Sequence, residues 1–415
     1  MSDQSAAYDS LAEAPLNLGY LVPQFPGQTH IFFWREIADL EEMGHNVSLF
    51  STRPPPPGLI AHDWSEQAIE RTIYLGQRDV LSALSALAGL LPKGLVQAML
   101  SEGPAFAKDA LITLSAALRL VQHCQQRQID HVHAHSCGRA ALIAAFAHML
   151  GGPTWSMTLH GPLSDYGAGQ RFKWSRAGFA TVITHKLLHE MQRDLPGDLP
   201  ERVVVRPMGV DTDTLRRTDP YVPVSHGTPM RIFACGRLNR VKGHQDLMSA
   251  VRLLIDQGVD VRLEIAGEDD DGGQGYRKEL AAHLKTLRLQ DHVKMLGAID
   301  ATAVKKKLLA AHVFVLASWH EPLGVAYMEA MSCEVPVIGT DSGGVPELIE
   351  TGVNGILVPP KDPQALAAAI RRLSGDPAMA RRLSAAGRAH VVAHFRSRLG
   401  AETLIEEIRR LKARG

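Results

Sequence analysis

Residues 313–347, VFVLASWHEPLGVAYMEAMSCEVPVIGTDSGGVPE, restrict the fold more than any other stretch of this chain. Val313, Phe314, Val315 and Leu316 form an apolar run of the length of a buried strand. A polar corner follows, Ser318 to Glu321, then Pro322, Gly324 and a helix-forming run over 325–331. Val335, Pro336, Val337 and Ile338 make the next strand, and Pro336 suits its first residues. A strand–turn–helix–strand unit of this kind belongs to α/β proteins. Its turn lies at the carboxyl end of a strand, where open α/β sheets bind ligands.

The turn has the parts that hold an anion linked to a sugar. A helix starting near Gly324 aims free N–H groups and a partial positive charge at what precedes it, which suits a diphosphate. Glu321 before the helix and Glu329 within it flank that site as acceptors for hydroxyls. Most glutamates are solvated surface charges. Against that stand the glycine–proline turn, the buried strands on both sides and the second glycine loop, Ser342-Gly343-Gly344.

E-P-L-G-V-x-x-x-E-A-M, followed by P-V-I-G-T and S-G-G-V-P-E, resembles the donor-site signature of the family-4 retaining glycosyltransferases. The resemblance implies the GT-B fold, an α/β arrangement of two doubly wound Rossmann-like domains facing a central cleft. It places Glu321 on the transferred sugar, Glu329 on the ribose, and Leu323, Gly324 and Val325 around the donor. Leu323 stands where the family usually has Phe, and Glu334 replaces the usual helix-closing Gly.

The 415 residues exceed a typical single core, so two domains are expected. Basic and acidic residues balance at 44 each, which argues against a broad nucleic-acid surface. Cys124, Cys137, Cys235 and Cys333 lack C-x-x-C spacing and read as buried, reduced thiols of a cytoplasmic protein. Residues 1–14 read as a flexible tail with no apolar signal segment. No uninterrupted apolar stretch of about 18 residues occurs.

Along the chain, a strand over 16–22, a loop through Gly27 and a helix ending at Gly44 open a βαβ unit. The resemblance puts that loop under the donor sugar, which gives Gly27 a donor-side role beside the plainer one of a turn glycine. The leucine- and alanine-rich region 80–122 reads as packed helices, or as an apolar face that lies on a membrane. His131, His133 and His135 fall on one face of a strand. Without carboxylate or cysteine partners at metal-site spacing, they are not assigned a metal; His185 and His189 read as an exposed helix face. His160 ends the strand 155–159, and the resemblance brings it to the donor sugar. Leu163 to Tyr166 depart from the family's pattern on the acceptor side.

The second half restarts with a strand over 230–234 and the loop Gly236 to Gly243. Its G-R-L-x-x-x-K-G matches the family's diphosphate loop and assigns Arg237 and Lys242 to the phosphates, a guanidinium fork and a point charge. Gly297 falls where the family cradles the base with backbone groups. Asp269, Asp270 and Asp271 contain D-x-D formally, yet beside Gly272 and Gly273 they read as solvated turn residues. The expected division is 15–205, an acceptor-side domain; 206–228, a linker; 229–388, the donor-binding domain; and 389–415, helices returning to the first.

The implied reaction moves a sugar from a nucleotide diphosphate sugar to a hydroxyl of a glycan or lipid-linked acceptor, with retention. Arg237 and Lys242 would meet the charge growing on the leaving diphosphate, and His160 and Glu321 would position the sugar. No cofactor, no metal and no nucleic acid are expected, and the membrane contact is confined to the inner face. A non-hydrolysing nucleotide-sugar epimerase and a non-catalytic nucleotide-sugar-binding paralogue are the alternatives.

Overall fold

The computed structural model describes residues 14–27, 30–55, 62–77, 79–269 and 275–414. They fall into two compact units. The first takes the described residues up to Pro55, then Trp64–Pro207 and the chain from Gly400; the second is built chiefly from Met208–Leu399.

Each unit is a parallel sheet with helices between its strands. The first sheet has β1 (Asn17–Gln24), β2 (Asn46–Arg53), β3 (Thr72–Tyr74) and β4 (His131–Ala134). It continues through β5 (Thr154–Leu159), β6 (Phe179–Val182) and β7 (Val203–Val205). Their spatial order is β3-β2-β1-β4-β5-β6-β7. The second sheet has β8 (Met230–Cys235), β9 (Val261–Ala266), β10 (Val293–Gly297), β11 (Val313–Val315), β12 (Val337–Thr340) and β13 (Ile356–Val358). Its order is β10-β9-β8-β11-β12-β13. In both, the winding reverses beside the first strand, at β1/β4 and at β8/β11. A reversal leaves a crevice outside the carboxyl ends, because the helices leave the two neighbouring strands toward opposite faces.

The sequence explains the layers. Val313, Phe314 and Val315 are fully buried, as a central parallel strand covered on both faces requires. Helix Ile31–Glu42 buries Phe33, Ile37 and Leu40, the spacing of one helical face, and the chain turns at Gly44 with φ +87°. The helix after β11, Val325–Ser332, is followed by Glu334 at φ +55°, so a glutamate takes the left-handed position that glycine usually fills.

The alternate histidines of β4 are structural partners of β5. His131 meets Thr154 at 2.8 Å and Ser156 at 2.7 Å; His133 meets Ser156 and Thr158, each at 2.7 Å. Burial pushes His131 down to about 3, so the ladder is neutral imidazole against hydroxyl. His185 and His189 lie exposed on their helix. The polar segment 208–228 packs within the second unit: Leu215 is buried, and the Tyr221 hydroxyl donates to the His312 carbonyl at 2.7 Å.

Candidate functional site

In the second unit, three loops meet at the β8/β11 reversal. The loop after β8 carries Arg237, Asn239 and Lys242. The loop after β11 carries Ser318, Trp319 and Glu321, and the loop after β12 carries Ser342, Gly343 and Gly344. Backbone contact joins them. The N–H of Trp319 donates to the Val241 carbonyl at 2.7 Å, and that of Gly344 to the Glu321 carbonyl at 2.9 Å. Two glycines make this approach feasible. A Cβ on Gly243 (φ +67°) would lie 1.9 Å from the Ala317 carbonyl oxygen, and one on Gly343 (φ +67°) 1.9 Å from that of Glu321.

The loops bring Lys242 to Glu321, 79 residues apart in sequence, with Nζ 2.5 Å from Oε2. The Ser318 hydroxyl donates to the same oxygen at 3.0 Å. Glu321 is buried and Lys242 half-buried, so this is a largely desolvated ion pair rather than two solvated charges. Asn239 fixes the lysine's backbone by accepting from the Lys242 N–H at 3.2 Å. Below the loop, His244 is buried against the backbone of Arg237, and burial with the Lys242 charge holds it down to about 4. The Arg237 side chain is exposed at the same edge.

Gly324, at φ +98°, caps helix Val325–Ser332, whose first-turn N–H groups start beside Glu321. A Cβ there would press on Tyr327 and come 3.3 Å from Cγ of Glu321. Tyr327 is buried and donates to the Leu316 carbonyl at 2.9 Å, which ties the helix to the end of β11. Leu323 points into the core. Glu329 is half-buried on the helix and reaches the end of β8: burial pushes the Cys235 thiol up to about 12, and the Glu329 charge adds to the shift. Gly297 ends β10; its carbonyl accepts from the Gly267 N–H at 2.8 Å, beside the ion pair of Glu268 and Arg277. The residues that the sequence assigns to the donor in this half thus follow β8 and β11 or end β10, with Glu329 inside the helix and Leu323 turned into the core.

The aspartate loop differs from expectation. Asp269 is buried, not solvated, and its Oδ2 accepts from the N–H groups of Gly275 at 2.9 Å and Arg277 at 3.0 Å. It closes the loop and satisfies the start of helix Tyr276–Thr286, a task for which a short carboxylate is suited. Asp270 and Asp271, with Gly272 and Gly273, lie outside the described residues.

In the first unit, Gly27 follows β1 and His160 follows β5, so both lie at the carboxyl edge of their sheet. Gly27 accepts from the His30 N–H at 3.0 Å, and a Cβ on it would come 2.7 Å from the His30 ring. Its lack of a side chain therefore serves the imidazole next to it. His160 is half-buried against Phe32 and Phe33, with ring centroids 5.8 and 5.4 Å away. Leu163–Tyr166 forms one 3-10 turn after it. Sequence reasoning missed Ser318, Glu36 and His135, which back the assigned residues. Their signal was weak, since a serine in a turn, a glutamate in a helix and one histidine of three are each ordinary.

The comparisons place the chain in a family and a fold. The model for "Glycosyl transferases group 1" matches residues 217–390, and that for "Glycosyltransferase Family 4" matches 32–214. The chain belongs to this family of GT-B glycosyltransferases. It is 28% identical over 336 residues to the alpha-maltose-1-phosphate synthase of Mycolicibacterium smegmatis, covering 74% of this chain and 85% of that protein. It is 35% identical over 181 residues to the putative colanic acid biosynthesis glycosyltransferase WcaL of Salmonella typhimurium, 42% of this chain and 43% of that one. The match therefore spans less than half of WcaL. The Anabaena HepE protein in complex with UDP-glucose superposes with a TM-score of 0.70 at 19% identity, covering 94% of this chain and 98% of that one.

Proposed function

We propose that this glycosyltransferase moves a hexosyl group from a nucleotide diphosphate sugar to a hydroxyl of a glycan or lipid-linked acceptor, with retention of configuration. The observation that carries the donor assignment is the convergence of Lys242, Glu321 and the helix start at Gly324 at one sheet reversal. Cation and helix N–H groups stabilise the diphosphate as it leaves. Glu321 binds the sugar and Glu329 accepts from the ribose; for the first unit, the family resemblance assigns His160 to a sugar contact. The UDP-glucose bound to the Anabaena protein supports a nucleotide-sugar donor, and the colanic acid assignment of WcaL supports a polysaccharide or glycolipid product. With no nucleophile assigned, the leaving phosphate takes the acceptor's proton on the face it departs from. The reaction takes place on the cytoplasmic side.

Catalysis needs no divalent metal in this scheme. Lys242, Arg237 and the helix start supply positive charge, while Asp269 spends its carboxylate on two backbone N–H groups. Transfer should persist in excess EDTA. Loss on chelation with recovery on magnesium or manganese would replace this scheme with a metal-held diphosphate.

The deciding experiment is a thermal-shift screen of nucleotide sugars, then transfer from the stabilising donor with the product's anomeric configuration read by NMR. A product of inverted configuration would overturn the retaining reaction. Isomerised donor without acceptor would indicate an epimerase. Binding without turnover would indicate a nucleotide-sugar-binding protein.

A further inference from the structure

His160 is backed by a chain of buried polar groups within the first unit. Its Nε2 lies 3.4 Å from Nδ1 of His135, and the two rings stack with centroids 5.6 Å apart. The other nitrogen of His135, Nε2, lies 3.2 Å from Oε2 of Glu36, bent out of full hydrogen-bond alignment. Tyr20 donates its hydroxyl to that same carboxylate oxygen at 2.7 Å. Tyr20, Glu36 and His135 are all buried. The glutamate reaches this position from helix Ile31–Glu42, where Gly400 leaves room for it: a Cβ there would come 2.9 Å from Oε1.

Protons on this chain are ordered by what each neighbour can accept. Burial first, then the Glu36 charge and hydrogen bond, holds the Tyr20 phenol well above its ordinary range, so it stays a donor. Burial holds His160 well below the usual histidine range, so it is neutral. A neutral imidazole has one N–H and one lone pair. A carboxylate only accepts, and a lone pair on His135 Nε2 would face it at 3.2 Å with repulsion. With one proton to place, His135 holds it on Nε2, toward the carboxylate, and presents a lone pair on Nδ1. His160 must then donate from Nε2, which leaves its Nδ1 as a lone pair.

We propose that Glu36 and His135 are positioning residues that lock His160 in the Nε2–H tautomer, so that its Nδ1 offers the substrate an acceptor and no donor. The sugar group that meets it must itself donate. A neutral sugar hydroxyl fits, and the carboxylate of a uronic acid at that place does not. This rests on the assignment of His160 to the sugar made above.

The test is long-range 1H–15N correlation on the full-length protein with 15N-labelled histidine at neutral pH. His160 is assigned by the signals that vanish in His160→Ala. The expected wild-type pattern is a protonated Nε2 and an unprotonated Nδ1. Glu36→Gln, whose amide also donates, should shift His160 toward the other tautomer and lower kcat on the order of tenfold, one hydrogen bond's worth. Gly400→Ala, which crowds Glu36 without removing it, should shift the same signals. A protonated Nδ1 in wild type overturns the proposal, and this needs no variant to fold. So does an unchanged His160 pattern in folded Glu36→Gln. Unchanged transfer in His160→Ala would instead remove His160 from the sugar site, whatever its tautomer.

Discussion

Lys242 and Glu321 keep 17% and 8% of their side-chain surface, so each is the other's main replacement for water. Removing the lysine alone leaves a buried carboxylate without its charge partner. Lys242→Ala should therefore cost about 3–5 kcal/mol of stability at the upper end of such effects, read by denaturant unfolding. Glu321→Gln keeps the shape and frees the ammonium. Under the proposed function it should leave nucleotide diphosphate affinity equal or higher, by calorimetry, while turnover falls. Weaker diphosphate binding in that variant would argue that Lys242 does not serve the phosphates. Glu329→Ala should weaken nucleotide-sugar binding about tenfold through a lost ribose contact, with a smaller effect on kcat. These residues were legible one by one, because glycine and proline spacing marked their loops. Their pairing was not, since Lys242 and Glu321 meet only through the register of β8 beside β11, where Val313 pairs with Ile232.

At the scale of elements, strands were easiest to read, because buried parallel strands are short apolar runs between turn residues. The helices at 80–102 were harder, and they differ from core helices in what they leave outside. Val80, Leu81, Leu84, Val96 and Leu100 are exposed, Leu81 and Leu100 to 79% and 80%. Among the described residues no single helix is long and apolar enough to cross a membrane, and Val80–Lys93 meets Leu95–Glu102 at an 84° bend. An apolar face on short bent helices suits a position in the headgroup layer. The protein should float with anionic liposomes, and Leu81→Asp with Leu100→Asp should abolish flotation without lowering the melting temperature. Recovery of the wild type wholly in the soluble fraction would favour a soluble acceptor. The aspartate loop shows the opposite failure: a run of acids and glycines reads as solvated, yet Asp269 is drawn inward by the orphan N–H groups of the helix that follows.

At the scale of the molecule, composition and the repeated strand–helix pattern anticipated two parallel sheets, and the resemblance had helices of 389–415 returning to the first; the first unit is not continuous in sequence. It is completed by the last helix, Ser397–Lys412, whose part from Gly400 belongs to that unit. Within it, Ala401, Leu404, Ile405 and Ile408 are buried. Glu407 takes a bidentate guanidinium from Arg202, with bonds of 2.8–3.1 Å, and Lys412 reaches Asp130 at 2.7 Å. Leu411 packs so close to Gly178 that a Cβ there would lie 2.4 Å from it. A chain ending at Leu399 would thus expose an apolar strip and leave Arg202 without its buried partner. Burying three such aliphatic side chains is worth about 1.5–3 kcal/mol each, an appreciable share of the ~5–15 kcal/mol that stabilises a domain. The truncated chain should lose the first unit's cooperative unfolding transition and expose its amides to hydrogen exchange. The second unit, built chiefly from 208–399, should keep its protection and its nucleotide-induced stabilisation. Equal loss of protection in both units would show that the last helix supports the whole protein rather than the sheet it packs against.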